Sequence, residues 1–170
     1  MIWYINISIN NKRNMIKEFF GTGDSAIRPD KPMTDREVVI VLTEHPIEKK
    51  CLCVNNKKFG WIDFVMGGIE KGETIVEAAK REVLEETGYN DFESVEELPE
   101  IFYDNFFAAH KDINRHITCH MIHGKLKSLS QVERDEKEKE IADVVWINNE
   151  KLPSKLSTEA HRYVLERVLG

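Results

Sequence analysis

The chain has 170 residues, 41% of them hydrophobic, and 24 Lys plus Arg against 30 Asp plus Glu leave a net charge of −6. That length and composition fit one compact domain with a real core and exclude a disordered chain, while apolar runs of only five residues, as at 38–42, argue against a membrane-spanning helix or a signal peptide. An acidic total also argues against broad binding to nucleic acid or anionic lipid, yet leaves room for one small anionic substrate held through a metal ion.

In chain order, residues 2–10 alternate as a strand, with Ile5, Ile7 and Ile9 on one face, and residues 14–20 read as a short helix. Residues 21–36 carry Gly21, Gly23, Pro29 and Pro32, a long loop and the one plausible internal boundary, which divides an N-terminal extension (1–37) from the main domain (38–170). The β-branched run 38–43 and the shorter 51–54 form a hairpin across His45-Pro46. After residues 61–64 comes a loop at Gly67-Gly68, then the best-marked helix. Thr74 and Glu77 form a capping box, Ile75, Val76, Ala79 and Val83 make an apolar stripe, and Gly88 closes the helix. Strands are expected at 92–97, 101–103, 116–123 and 142–147, a solvated loop at the charged run 133–140, and a closing helix at 157–169 capped by Ser157 or Thr158. Strands flanking a few helices indicate one layered α/β (α+β) domain. The three cysteines give no disulfide framework, and Cys51 and Cys53 are read as core thiols rather than zinc ligands, which fits a reducing, cytoplasmic setting. His116 and His120 are read as a polar strand face. Trp61, Phe64, Phe102, Tyr103 and Trp146 are read mainly as core, with a base-stacking platform as the alternative.

Chemistry concentrates in residues 67–89. Glu82, Glu85 and Glu86 stand at i, i+3 and i+4, which crowds three carboxylates onto one helix face. Such charges repel unless a hard divalent cation with oxygen ligands, Mg²⁺ or Mn²⁺, neutralises them. Arg81 adjoins the cluster, with Glu77 as a possible pairing partner. The glycines before the helix let backbone approach a ligand, so Gly67 and Gly68 are candidate substrate contacts. His110, Asn114 and Arg115, after Phe106-Phe107, are candidate contacts to a substrate phosphate or base.

Written as Gly67, five residues, Glu73, seven residues, Arg81-Glu82, Val83, Leu84, Glu85-Glu86, Thr87, Gly88, this segment resembles the Nudix box, with Tyr89 in place of an aliphatic residue. The resemblance implies a Nudix fold, a mixed sheet between helices. It implies metal-dependent hydrolysis, by water, of the pyrophosphate linkage in a nucleoside diphosphate derivative. It also implies Glu82, Glu85 and Glu86 as metal ligands, the Met66 or Gly67 backbone carbonyl as a further ligand, and Arg81 as an orienting partner. Glu82 or a carboxylate outside the box would help to deprotonate the water, Glu73 would be a ligand, substrate contact or structural partner, and one glutamate outside the box would join the site. Glu136, Glu138 and Glu140 are the candidates for that last role, and Glu138 is the one assigned. Val65-Met66 stands where family members often have Pro-Gly. A small nucleotide substrate and a homodimer follow from the family, and no membrane partner does. A weaker resemblance, carried by 28–32, 61–68 and 109–115, is to Nudix-type segments attached to leucyl-tRNA synthetases. It implies as alternative a non-catalytic nucleotide-binding or tRNA-associated module.

Overall fold

The computed structural model describes residues 16–109 and 111–170. The strand expected at 2–10 and the side chain of His110 lie outside the described residues. The elements run β1 (Lys17–Phe20), β2 (Met33–Glu44), β3 (Lys50–Asn56), β4 (Ile62–Asp63), β5 (Val65–Gly68), α1 (Ile75–Thr87), β6 (Phe92–Ala108), β7 (Ile113–Leu126), α2 (Glu136–Ile141), β8 (Ala142–Asn148), α3 (Leu152–Lys155) and α4 (Glu159–Leu169).

The strands form one mixed sheet in the order β1-β6-β7-β2-β3-β4, with β5 paired to β2 and β8 to β3. At its centre β2 and β7 run parallel, from Met33 opposite Asn114 to Glu44 opposite Lys125. Burial of β2 on both faces explains the unbroken apolar run there. Val38, Ile40 and Leu42 pack with Phe102, Leu152, Val164 and Leu165, which places α4 on one face. Val39 and Val41 pack with Ala78, Ala79, Val83 and Ile122, which places α1 on the other. The sheet is therefore sandwiched between helices, an α+β architecture. All three cysteines are free and buried, and Cys51 and Cys53 belong to the α4-side core.

Several expectations are corrected. Residues 17–20 are a strand rather than helix, because β1 pairs in parallel with β6 and Phe19 sets its ring edge-to-face on Phe102 at 5.5 Å. Gly67-Gly68 is not a loop but the end of β5, paired with Val39 and Val38. The hairpin of β2 and β3 is short, with Thr43 opposite Leu52 and Glu44 opposite Cys51, while β3 pairs with β8 along its whole length from Lys50 to Asn56. The two strands expected at 92–97 and 101–103 are one long β6, whose register against β7 shifts between Glu97 and Ile101, around Pro99 with its missing N–H. Part of the charged run 133–140 coils into α2, capped by Asp135, whose side chain accepts from Lys137 N. The capping box at Thr74 and Glu77 is present as read, and Gly88 adopts φ 81°.

Loss of the Thr74 cap through Thr74→Ala is expected to cost about 1 kcal/mol, and Phe102→Ala, which empties the α4-side core, about 3–5 kcal/mol. Chemical denaturation reads both. A Phe102→Ala effect no larger than that of Thr74→Ala contradicts the packing described.

Candidate metal and phosphate site

β5 delivers the chain to the base of α1 through a turn in which Gly72 takes φ 87° and Glu73 N donates to the Glu70 carbonyl at 3.1 Å. Neither Gly67 nor Gly68 has positive φ among the described residues; their value is space. A β-carbon at Gly67 would overlap the Glu82 carboxylate, and one at Gly68 would overlap the Arg36 guanidinium. The strand thus passes directly beneath the charged face of α1.

Arg81 joins turn, strand and helix. Its Nε and Nη2 donate to the two oxygens of Glu73 at 2.8 and 2.9 Å, Nη2 also reaches the Gly68 carbonyl at 2.8 Å, and Nη1 donates to Glu82 at 2.7 Å and to Glu85 at 3.4 Å. A planar fork with several donors suits this bidentate grip, which a lysine cannot reproduce. Glu73, read as a ligand, substrate contact or structural partner, takes the last of these roles, committed to Arg81 and to the Glu70 amide at 3.0 Å. The Arg81 hydrogen bonds hold its pKa below the usual carboxylate range. Glu77 does not pair with Arg81; its carboxylate accepts from Thr74 N and Oγ1 at 2.8 and 2.7 Å.

The remaining carboxylates are held less favourably. Burial raises the Glu82 pKa, against the lowering pull of Arg81. Glu86 is pushed up to about 8 by burial and then by the like charges of Glu82, Glu138 and Glu85, with no basic group offsetting them. Glu138, Glu86 and Met66 line one cleft of about 210 Å³. Of the three glutamates weighed outside the box, Glu138 lines this cleft, while Glu136 lies 2.6 Å from Lys139. Among the described residues no three acidic, histidine or cysteine side chains converge as a finished metal shell. The donor set is nevertheless all oxygen, and a half-buried Glu86 facing three like charges is the environment that a hard divalent cation relieves.

The other expected contacts lie elsewhere. Arg115 donates to Thr34 Oγ1 at 3.0 Å and lines neither this cleft nor the neighbouring cavity. Asn114 is buried, accepting from Arg28 N at 2.9 Å and donating to the Arg28 and Lys31 carbonyls at 2.7 and 3.0 Å, so it brackets the loop before β2. His116 and His120 hold Asn105 and Glu97 at 2.7 and 3.0 Å. Two groups that periodicity did not expose are Asp63 and Asp104, both with pKa values raised by burial. An acid between apolar neighbours, as in Ile62-Asp63-Phe64, is the signal that points to the first.

A mixed sheet between helices, with a glycine-tightened strand delivered beneath a carboxylate-bearing helix, is the architecture of a Nudix fold. The NUDIX domain family model matches residues 32–168, and the chain belongs to that family. Its structure resembles the Escherichia coli dihydroneopterin triphosphate pyrophosphohydrolase, with TM-score 0.65, 17% identity, and coverage of 78% of this chain and 93% of that one. It also resembles a MutT protein from Bacillus halodurans, with TM-score 0.62, 19% identity, and coverage of 79% and 82%. These likenesses are of fold. In sequence, 62 residues are 45% identical to the NAD-capped RNA hydrolase NPY1 of Saccharomyces cerevisiae, an alignment that takes in 34% of this chain and only 16% of the yeast enzyme. Among the described residues no helix is long and apolar enough to cross a membrane.

Because the folded chain holds a proton on Glu86 up to about 8, while its ordinary value is 4.5, its stabilising contribution is fully present below the lower value and is lost as pH rises toward the upper one. In chelator, Tm is expected to fall between about pH 6 and pH 8, and added Mg²⁺ or Mn²⁺ to raise it most at the higher pH. Glu86→Gln should flatten both dependences in a thermal scan. Gly67→Ala, which displaces Glu82, should weaken divalent-cation affinity in calorimetry by about tenfold or more.

Proposed function

We propose that this chain is a pyrophosphohydrolase that uses a divalent cation, Mg²⁺ or Mn²⁺, to hydrolyse by water the pyrophosphate linkage of a nucleoside diphosphate derivative. The observation that carries this reading is the Arg81 junction, which fixes Glu82 over Gly67 beside the buried, like-charged Glu86. Glu82, Glu85, Glu86, Glu138 and the Met66 carbonyl would hold the cation. Once bound, it would polarise a phosphoryl oxygen and make a coordinated water more acidic.

The protein groups divide the remaining work. Arg81 is a positioning residue: it holds Glu82 in one rotamer, and its link to the Gly68 carbonyl keeps β5 and α1 in register. Glu82, whose raised pKa makes it a better proton acceptor than an ordinary carboxylate, takes the proton from the attacking water. Glycine at 67 leaves that carboxylate room at the backbone, and the half-buried setting strengthens each electrostatic contact there. No covalent nucleophile enters; the buried Cys51 thiol, pushed up to about 12, is unreactive.

A panel of nucleoside triphosphates, ADP-ribose, nucleotide sugars, dinucleoside polyphosphates and capped RNA, with products identified, tests the reading. At least one should be cleaved at the pyrophosphate in a metal-dependent way, and Glu82→Gln should lower kcat by about 10²–10⁴ with an unchanged circular dichroism spectrum. A variant as fast as the parent overturns the role given to Glu82.

A further inference from the structure

Beside the carboxylate cleft lies a larger cavity of about 470 Å³, within the size range of small-molecule pockets. Trp61, Asp63, Met66 and His161 line both, so the two spaces meet along one wall. The far side of the larger cavity is made by Asp104 and Phe106 of β6 and by Phe19 at the end of β1, with residues 20–22 and Ser25 completing the rim. Residues 19–25 precede the stretch that matches the family, 32–168. Part of this wall therefore belongs to the chain's own N-terminal extension and part to the family stretch.

The lining has a definite chemical character. One oxygen of the Asp63 carboxyl, Oδ1, is buried and has no hydrogen-bond partner among the described residues, while the group as a whole accepts from the Ser157 and Thr158 backbone and the Thr158 hydroxyl. Leaving such an acceptor unmet is a penalty that a ligand carrying an N–H donor removes. Asp104, which β6 brings to the same lining, is a second, half-buried acid. Arg162, the basic residue on the lining, directs Nη1 to the Leu156 carbonyl at 2.5 Å. Asp63, Asp104 and Glu159 outnumber Arg162 on the lining, which disfavours a phosphate, whereas the rings of Phe19, Phe106 and Trp61 suit a flat heteroaromatic group.

We propose that this cavity receives the nucleobase of the substrate, with Asp63 and Asp104 accepting hydrogen bonds from the amino N–H groups of an aminopurine while the diphosphate lies in the adjoining carboxylate cleft. The orientation of the nucleotide rests on the pyrophosphohydrolase reading above; the preference for an amino-bearing base does not. In this arrangement the chemistry belongs to the family segment and the choice of base is shared with the extension, since residues 19–25 close the pocket on the side away from α1.

Nucleoside monophosphates test this without turnover. Calorimetry on the full chain with Mg²⁺ should show AMP or GMP binding at least about tenfold more tightly than nebularine 5′-monophosphate, whose purine carries no amino group. Asp63→Leu, which removes the acceptor, should bring the ratio close to one, with a lower Tm because the Ser157 and Thr158 donors lose their partner. Should that variant fail to fold, Asp104→Asn and the parent's own ratio carry the test. Equal affinities in the parent, or a ratio untouched by both substitutions, overturn the proposal. Hydrolysis without base discrimination overturns the pocket and keeps the hydrolase; base-selective binding with no cleavage of any derivative does the reverse.

Discussion

Five hydrogen bonds from one guanidinium hold the candidate site together. Without Arg81, Glu73, Glu82 and Glu85 would stand beside Glu86 as mutually repelling carboxylates, and the turn from β5 into α1 would have no link to the helix face it passes under. With it, the charge is divided. Glu73 is ion-paired and becomes scaffold, Glu82 is oriented, and Glu86 is left as the member whose charge no group among the described residues balances. The asymmetry separates the acids that hold the structure from those that await a cation.

The glycines serve the same economy of space. Gly67 and Gly68 sit in regular strand, so their absent side chains are filled by the Glu82 carboxylate on one side and the Arg36 guanidinium on the other. That replaces side-chain volume with charge at the point where the β5 backbone meets the Glu82 side chain of α1. Val65-Met66 ahead of them causes no break in the strand, since the groups used there are backbone ones and β5 pairs with β2 through Val65 and Met66 as well.

Legibility in the sequence followed the range of the interactions. Thr74, Glu77, Gly88 and the i, i+3, i+4 glutamates were readable because caps and helix faces are set within a few residues. The unbroken β-branched run that identified β2 was equally local. Residues 17–20 were misread because their strand exists only against β6, some 85 residues away by the pairing of Lys17 with Phe102. Gly67-Gly68 was misread because glycine's usual local meaning, a turn, gave way to tertiary crowding. The fate of Glu73, the choice of Glu138 for the cleft and the burial of Asp63 and Asp104 all depend on which strands become neighbours, information that spacing does not carry.

The central ladder has a kinetic consequence as well. Thr34 of β2 pairs with Arg115 of β7, 81 residues later, and every pair in that parallel ladder spans a comparable loop. Such pairing must overcome a large closure entropy before any contact rewards it, so the ladder forms slowly. During synthesis α1 emerges complete with its caps long before β7, yet part of the surface it packs against, Ile122 and Leu126, is still to come. The helix is formed early and the site late: the carboxylates acquire their burial, and with it their altered proton affinity, only when the second half of the chain arrives.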